Sequence, residues 1–196
     1  EEKGREEFFG RVFSIYQGAM FIGGAALILL CQPFYSVYVK PESFEAWRYA
    51  PFLVLATIYN CFSGFLNSIY VVEKRSGLSL LTSAVGAGVN CLLNYLLILR
   101  MGVTGAALAT FISYLVVFTM RLINTRSLLA MRFSPGHLLV NTCLLIAEAS
   151  LMILEVKWWP LWCGICAAVV LVLNFASLWK MARQLLGRFV RRRKRA

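Results

Sequence analysis

The sequence predicts an all-α membrane protein with six transmembrane helices, on three observations. Hydrophobic residues make up 60% of the 196 and charged residues only 15%, with a mean hydropathy of +0.71. Soluble domains average about 45–50% apolar and about 25% charged. Long uncharged stretches alternate with short charged ones. The basic residues concentrate in alternate connections, the usual signature of a spanning chain. A soluble enzyme of this length cannot hide such an apolar excess, and intrinsic disorder needs the opposite composition. The net charge of +11 would suit nucleic acid, but its placement at span ends argues against that partner.

A span needs about 20 mostly apolar residues to cross about 30 Å of hydrocarbon. The uncharged stretch between Arg11 and Lys40 places helix A at about 12–32. Helix B, 51–72, lies between Arg48 and Glu73, and helix C, 79–99, between Arg75 and Arg100. Helix D, 104–122, is closed by Arg121. Helix E, 138–154, carries one acid, Glu148, and helix F, 160–180, carries no acid.

The connections follow from turn chemistry. The A–B loop, 33–50, holds Pro33, Tyr35, Tyr38, Pro41, Phe44 and Trp47, and its aromatics suit an interfacial belt. Gly77 suits the C′ position after helix B, Gly102 permits a sharp C–D reversal, and Thr104 can cap helix D. Pro160 suits the first turn of helix F. His137, the single histidine, sits at a span end and reads as a surface residue.

With the N-terminus inside, sixteen of the twenty Lys and Arg fall in cytoplasmic segments; Lys40, Arg48, Arg100 and Lys157 are left outside. Both termini are therefore expected in the cytoplasm of a multi-pass protein of the cell membrane. The tail, 181–196, ends in Arg191-Arg192-Arg193-Lys194-Arg195. It would attract anionic lipid headgroups at about 1 kcal/mol per basic residue. The opening Glu-Glu-Lys-Gly-Arg-Glu-Glu is charged, unlike a signal peptide, and the chain reads as a piece of something longer.

Polar residues inside spans are where function is expected. In helix B, Asn60, Ser63, Gly64 and Asn67 form one stripe at helical spacing. In helix C, Gly86, Asn90 and Asn94 do the same, led by Ser79 and Ser83. In helix D, Gly105, Ala109 and Ser113 make a small-residue ridge suited to close helix packing. Asn60, Ser63, Asn67, Asn90 and Asn94 are the candidate substrate pathway, and packing is the competing reading for each. In helix E, Asn141, Glu148 and Glu155 repeat every seven residues. An ionised acid mid-span costs about 2.5–3.5 kcal/mol, so Glu148 is either a proton relay or a neutral acid bonding a neighbouring helix. Cys163 and Cys166 have CxxC spacing but no second pair and no nearby histidine, so they read as packing residues. No metal site, cofactor or catalytic constellation is expected, and the chain does not read as an enzyme.

The helix C–D hairpin carries a resemblance. Val89-Asn90-Cys91-Leu92-Leu93-Asn94-Tyr95-Leu96-Leu97-Ile98, then Gly102-Val103-Thr104-Gly105-Ala106-Ala107-Leu108-Ala109-Thr110-Phe111-Ile112-Ser113, resembles the corresponding pattern of polysaccharide flippases. These belong to the multidrug/oligosaccharidyl-lipid/polysaccharide exporter superfamily. Pro33-Phe34-Tyr35, Ala50-Pro51-Phe52-Leu53 and the opening Gly4-Arg5-Glu6-Glu7 resemble its preceding segments. The resemblance covers most of 1–125, the C-terminal bundle portion formed by helices A–D. Residues 126–180 add helices E and F.

The resemblance implies the last six helices of a fourteen-helix, two-bundle transporter with both ends cytoplasmic. Eight N-terminal helices would then be partners supplied by the same protein. The implied function is flipping of a polyprenyl-diphosphate-linked oligosaccharide for surface polysaccharide synthesis, with helices E and F flanking the lipid tail. Family cavities hold the diphosphate with cationic residues, and this chain is expected to lack a buried Arg or Lys. The alternatives are a drug/cation antiporter or a peptidoglycan-precursor flippase of the same superfamily, or a membrane scaffold without transport.

Overall fold

The computed structural model describes residues 2–38, 46–129 and 134–193, with side chains from Gly4 to Phe175 within these and that of Trp179. Pro41, Phe44, Arg132 and the side chains of the basic tail lie outside the described residues. The described chain is an all-α membrane protein: α1 (Glu2–Tyr38), α2 (Ala50–Val72), α3 (Ser76–Met101), α4 (Val103–Arg126), α5 (Pro135–Ile153) and α6 (Trp159–Arg193). Helices α1 to α5 are each long and apolar enough to cross a bilayer, and α6 is apolar over Trp159–Phe175.

Each expected span is a helix, and the ends differ for local reasons. Helix α1 runs on through Pro33 to Tyr38. The Ser36 hydroxyl donates to the Pro33 carbonyl at 2.7 Å. Phe34 and Tyr38 stack at 4.8 Å, an i, i+4 contact that only a helix provides. Gly77 lies inside α3 and does not cap α2. Lys74 takes the left-handed role instead, at φ 54°. The Arg75 amide donates to Tyr70 O at 2.7 Å and the Lys74 amide to Val71 O at 3.2 Å, which is the Schellman pattern. Glu155, at φ 47°, ends α5 in the same way, so it lies outside helix α5. Gly102 is the N-cap of α4 at φ 58°, and Thr104 makes no capping bond.

Packing sorts the helices into two trios. Helix α4 packs on α2 and α3, while α1 packs on α5 and α6, and contacts between α1 and α2 join the two groups. Phe62 is fully buried at the join. Its ring meets Phe13 and Phe21 of α1, Tyr59 of α2 and Phe118 of α4 at 5.4–5.8 Å, within the favoured range for aromatic pairs. Trp47, expected in the interfacial belt, is buried in the same core, with Arg48 above its ring at 5.5 Å.

Gly105, Ala109 and Ser113 are buried, as the ridge reading requires. A Cβ on Gly105 would strike the backbone of Leu97, so α3 and α4 touch main chain to main chain there. A Cβ on Gly86 would strike Val117. The two trios are tied at both ends: Arg5 pairs with Glu73 at one, and Arg48 reaches Glu155 at 4.0 Å at the other.

A polar pocket beneath a buried arginine

Helices α2, α3 and α4 line an open pocket of about 450 Å³. Asn60 and Ser63 line it from α2, Ser83 and Asn90 from α3, and Thr110, Ser113, Tyr114 and Arg121 from α4. Three of the five candidate pathway residues, Asn60, Ser63 and Asn90, therefore meet in one space. Helix spacing explains this. Asn60 and Ser63 are one turn apart on α2, and Gly86 lets α3 settle over Val117 so that Ser83 and Asn90 flank the contact.

The other two candidates stand behind the wall. Asn94 donates to the Asn90 side-chain oxygen at 2.9 Å and so braces that amide from one turn away. Asn67 accepts from the Ser79 hydroxyl at 2.6 Å, linking α2 to α3.

Arg121 overturns the expectation that no Arg or Lys is buried. Run length alone puts it at the close of helix D, at the membrane surface, yet it is only 7% exposed. Its Nε donates to Thr82 Oγ1 at 3.0 Å, its Nη1 to the Ser63 carbonyl at 3.0 Å, and its Nη2 to Ser83 Oγ at 2.9 Å. A guanidinium has five N–H groups, so two remain beyond these three bonds. Among the described residues no carboxylate lies within ion-pair distance of it. The Ser63 hydroxyl beside it is buried without a partner among the described residues. A cation held by neutral oxygens alone has uncompensated positive charge in a low-dielectric wall.

The sequence did carry a signal for Arg121. Gly105, Ala109, Ser113, Val117, Arg121 and Thr125 follow one another at intervals of four and are all buried. Extending the ridge past Ser113 places Arg121 on the packed face of α4.

Glu148 lies elsewhere, on α5 in the other trio, fully buried. Neither carboxyl oxygen has a partner among the described residues. The Cys163 thiol donates to the Glu148 carbonyl at 3.4 Å, so the CxxC cysteine packs α6 on α5.

His137 is not a free surface residue. Its Nδ1 lies 3.3 Å from Asn141 Nδ2 and 3.5 Å from Gln17 Nε2, and its Nε2 lies 3.4 Å from the Leu173 carbonyl. Asn174 donates to Asn141 Oδ1 at 2.7 Å. This network joins α1, α5 and α6, and sequence reading missed Gln17 and Asn174 because neither belongs to a polar stripe at helical spacing in its own span. Comparison of the chain with protein families, curated proteins and solved structures found no match.

Proposed function

We propose that this chain is the C-terminal bundle of a flippase that passes a polyprenyl-diphosphate-linked oligosaccharide across the cell membrane. The observation that carries this reading is Arg121, a buried cation with donors to spare at the wall of an amide- and hydroxyl-lined pocket. Diphosphate oxygens accept from a guanidinium, and sugar hydroxyls exchange hydrogen bonds with the Asn60 and Asn90 amides. The sequence resemblance at the α3–α4 hairpin supports the same reading. A drug/cation antiporter would put a carboxylate in the pocket, whereas the charged residue lining it is a cation and Glu148 lies in the other trio.

No bond is broken in this task. The protein must shelter a polar head while its hydrocarbon tail stays in lipid, and then change the side to which the pocket opens. Of α3, only Thr82 and Gly86 are buried, so one flank of the pocket lacks cover among the described residues. A second bundle, as the resemblance implies, would close it. In this reading both termini face the cytoplasm, and the basic tail lies on anionic lipid.

The test is made in the full-length protein by measuring surface polysaccharide alongside membrane abundance. Arg121→Gln is expected to cut polysaccharide about tenfold, since a hydrogen bond to a charged group contributes about 1.5–3 kcal/mol. Asn60→Ala with Asn67→Ala is expected to reduce it less. Normal polysaccharide from Arg121→Gln at normal abundance would overturn the reading.

A further inference from the structure

The polar pocket does not end at its polar lining. Helix α2 exposes Leu53, Thr57, Asn60 and Gly64 along one face. Asn60 belongs to the polar pocket, while Leu53 and Thr57 belong to a second hollow of about 390 Å³ between α1 and α2. That hollow is apolar, lined by Met20, Gly23, Leu27, Val54 and Ile58 among others. The Thr57 hydroxyl donates to the Leu53 carbonyl at 2.8 Å, so the one hydroxyl side chain in this lining is satisfied by its own helix. A third hollow, about 290 Å³, shares Ala50 and Leu53 with the apolar one and Thr110 with the polar pocket. One surface track therefore runs from a guanidinium and two asparagines, past Thr110 and Leu53, into a channel of aliphatic side chains.

The channel has a sequence cause. Gly23 has no side chain, and a Cβ built there meets nothing within 4 Å. Its neighbour Gly24 is packed under Ile58, which draws α1 and α2 together just beside the gap. The adjacent glycines thus hold the helices close while leaving one strip of α1 bare.

A polar, cationic end joined to an apolar trough matches a single molecule with an anionic head and a hydrocarbon tail. We propose that the α1–α2 trough seats the polyprenyl chain of the lipid whose diphosphate sits at Arg121. This inference rests on the function proposed above and specifies it: the tail leaves the pocket across α2 toward α1, and not between α5 and α6.

The experiment uses the purified full chain in detergent, with polyprenyl diphosphate and inorganic pyrophosphate as separate probes and phosphatidylglycerol as competitor. Gly23→Leu adds a side chain to the trough at a position where a Cβ meets no neighbour within 4 Å. It is expected to lower the ratio of polyprenyl diphosphate to pyrophosphate affinity at least about tenfold, since the buried side chain displaces several methylenes at about 0.8 kcal/mol each. Arg121→Gln is expected to weaken both probes. Leu80→Phe, on the exposed face of α3 and outside every hollow described, serves as the fold control and is expected to change neither.

As a second measurement, a photoreactive benzoylphenylalanine at Leu53 is expected to capture the polyprenyl chain, and one at Leu80 to capture none. An unchanged affinity ratio in Gly23→Leu, or phosphatidylglycerol competing as well as the polyprenyl lipid, overturns the trough. Retained binding of both probes by Arg121→Gln overturns the headgroup reading instead, and wild-type protein binding neither probe overturns both.

Discussion

Arg121 and Glu148 illustrate how two charged residues in spans acquire different meanings from their neighbours. Arg121 keeps three neutral acceptors and unused donors at a pocket wall. The Glu148 carboxyl is fully buried, and neither of its oxygens has a hydrogen-bond partner among the described residues. A carboxyl in that position is expected to be a neutral packing acid, so Glu148→Gln should preserve both folded yield and transport. Loss of transport with intact yield would identify it as a proton relay.

Lys74 offers a separate test of local reasoning. A side-chain-bearing residue in the left-handed region costs about 1–2 kcal/mol relative to the right-handed helix, and glycine does not bear that cost. Lys74→Gly is accordingly expected to raise the unfolding free energy by about 0.5–1 kcal/mol, read as a higher melting temperature in detergent. A lower melting temperature would mean that the lysine side chain contributes more than the turn geometry costs.

At the scale of elements, the α3–α4 hairpin depends on backbone contact. Gly105→Leu forces a four-carbon side chain into the Leu97 main chain and is expected to lower folded yield sharply. A normal yield and melting profile would mean that α3 and α4 separate at little cost. Because lipid tails are as apolar as the core, close packing matters more here than in water. Phe62→Ala leaves a cavity but loses little transfer from water, so it is expected to cost about 3 kcal/mol, the low end of the range for aromatic deletions. The same logic explains the α2 and α3 stripes. Their small residues bring the helices together, and the asparagines between them line or brace the pocket that results.

For the whole molecule, the two trios meet at the Phe62 cluster and are tied at both ends by Arg5–Glu73 and Arg48–Glu155. Orientation is the testable property at this scale. The Ser76 turn is expected inside and Ser43 outside, read by single-cysteine labelling of intact cells in a background without native cysteines. Labelling at Ser76 and not at Ser43 would reverse the topology and put the opening of the Arg121 pocket on the other side.

Composition and uncharged run length sufficed to determine the class, the six helices and most of their bounds, because the bilayer imposes one length on every span. Helix periodicity alone also put Asn60, Ser63 and Asn67 on one stripe and Asn90 and Asn94 on another, and marked the Gly105 ridge as a packing surface. Tertiary structure decided the rest. Whether a charge near a span end reaches water or bends inward depends on acceptors from other helices, and Thr82, Ser83 and the Ser63 carbonyl draw Arg121 in. Trp47 was misplaced for the same reason: burial at a helix end is decided by what the neighbouring helices bring there, which no single span encodes. The pairing of α1 with α5 and α6, and the trough it leaves against α2, arise from contacts far apart in the chain, where side-chain fit and not sequence order selects the neighbour.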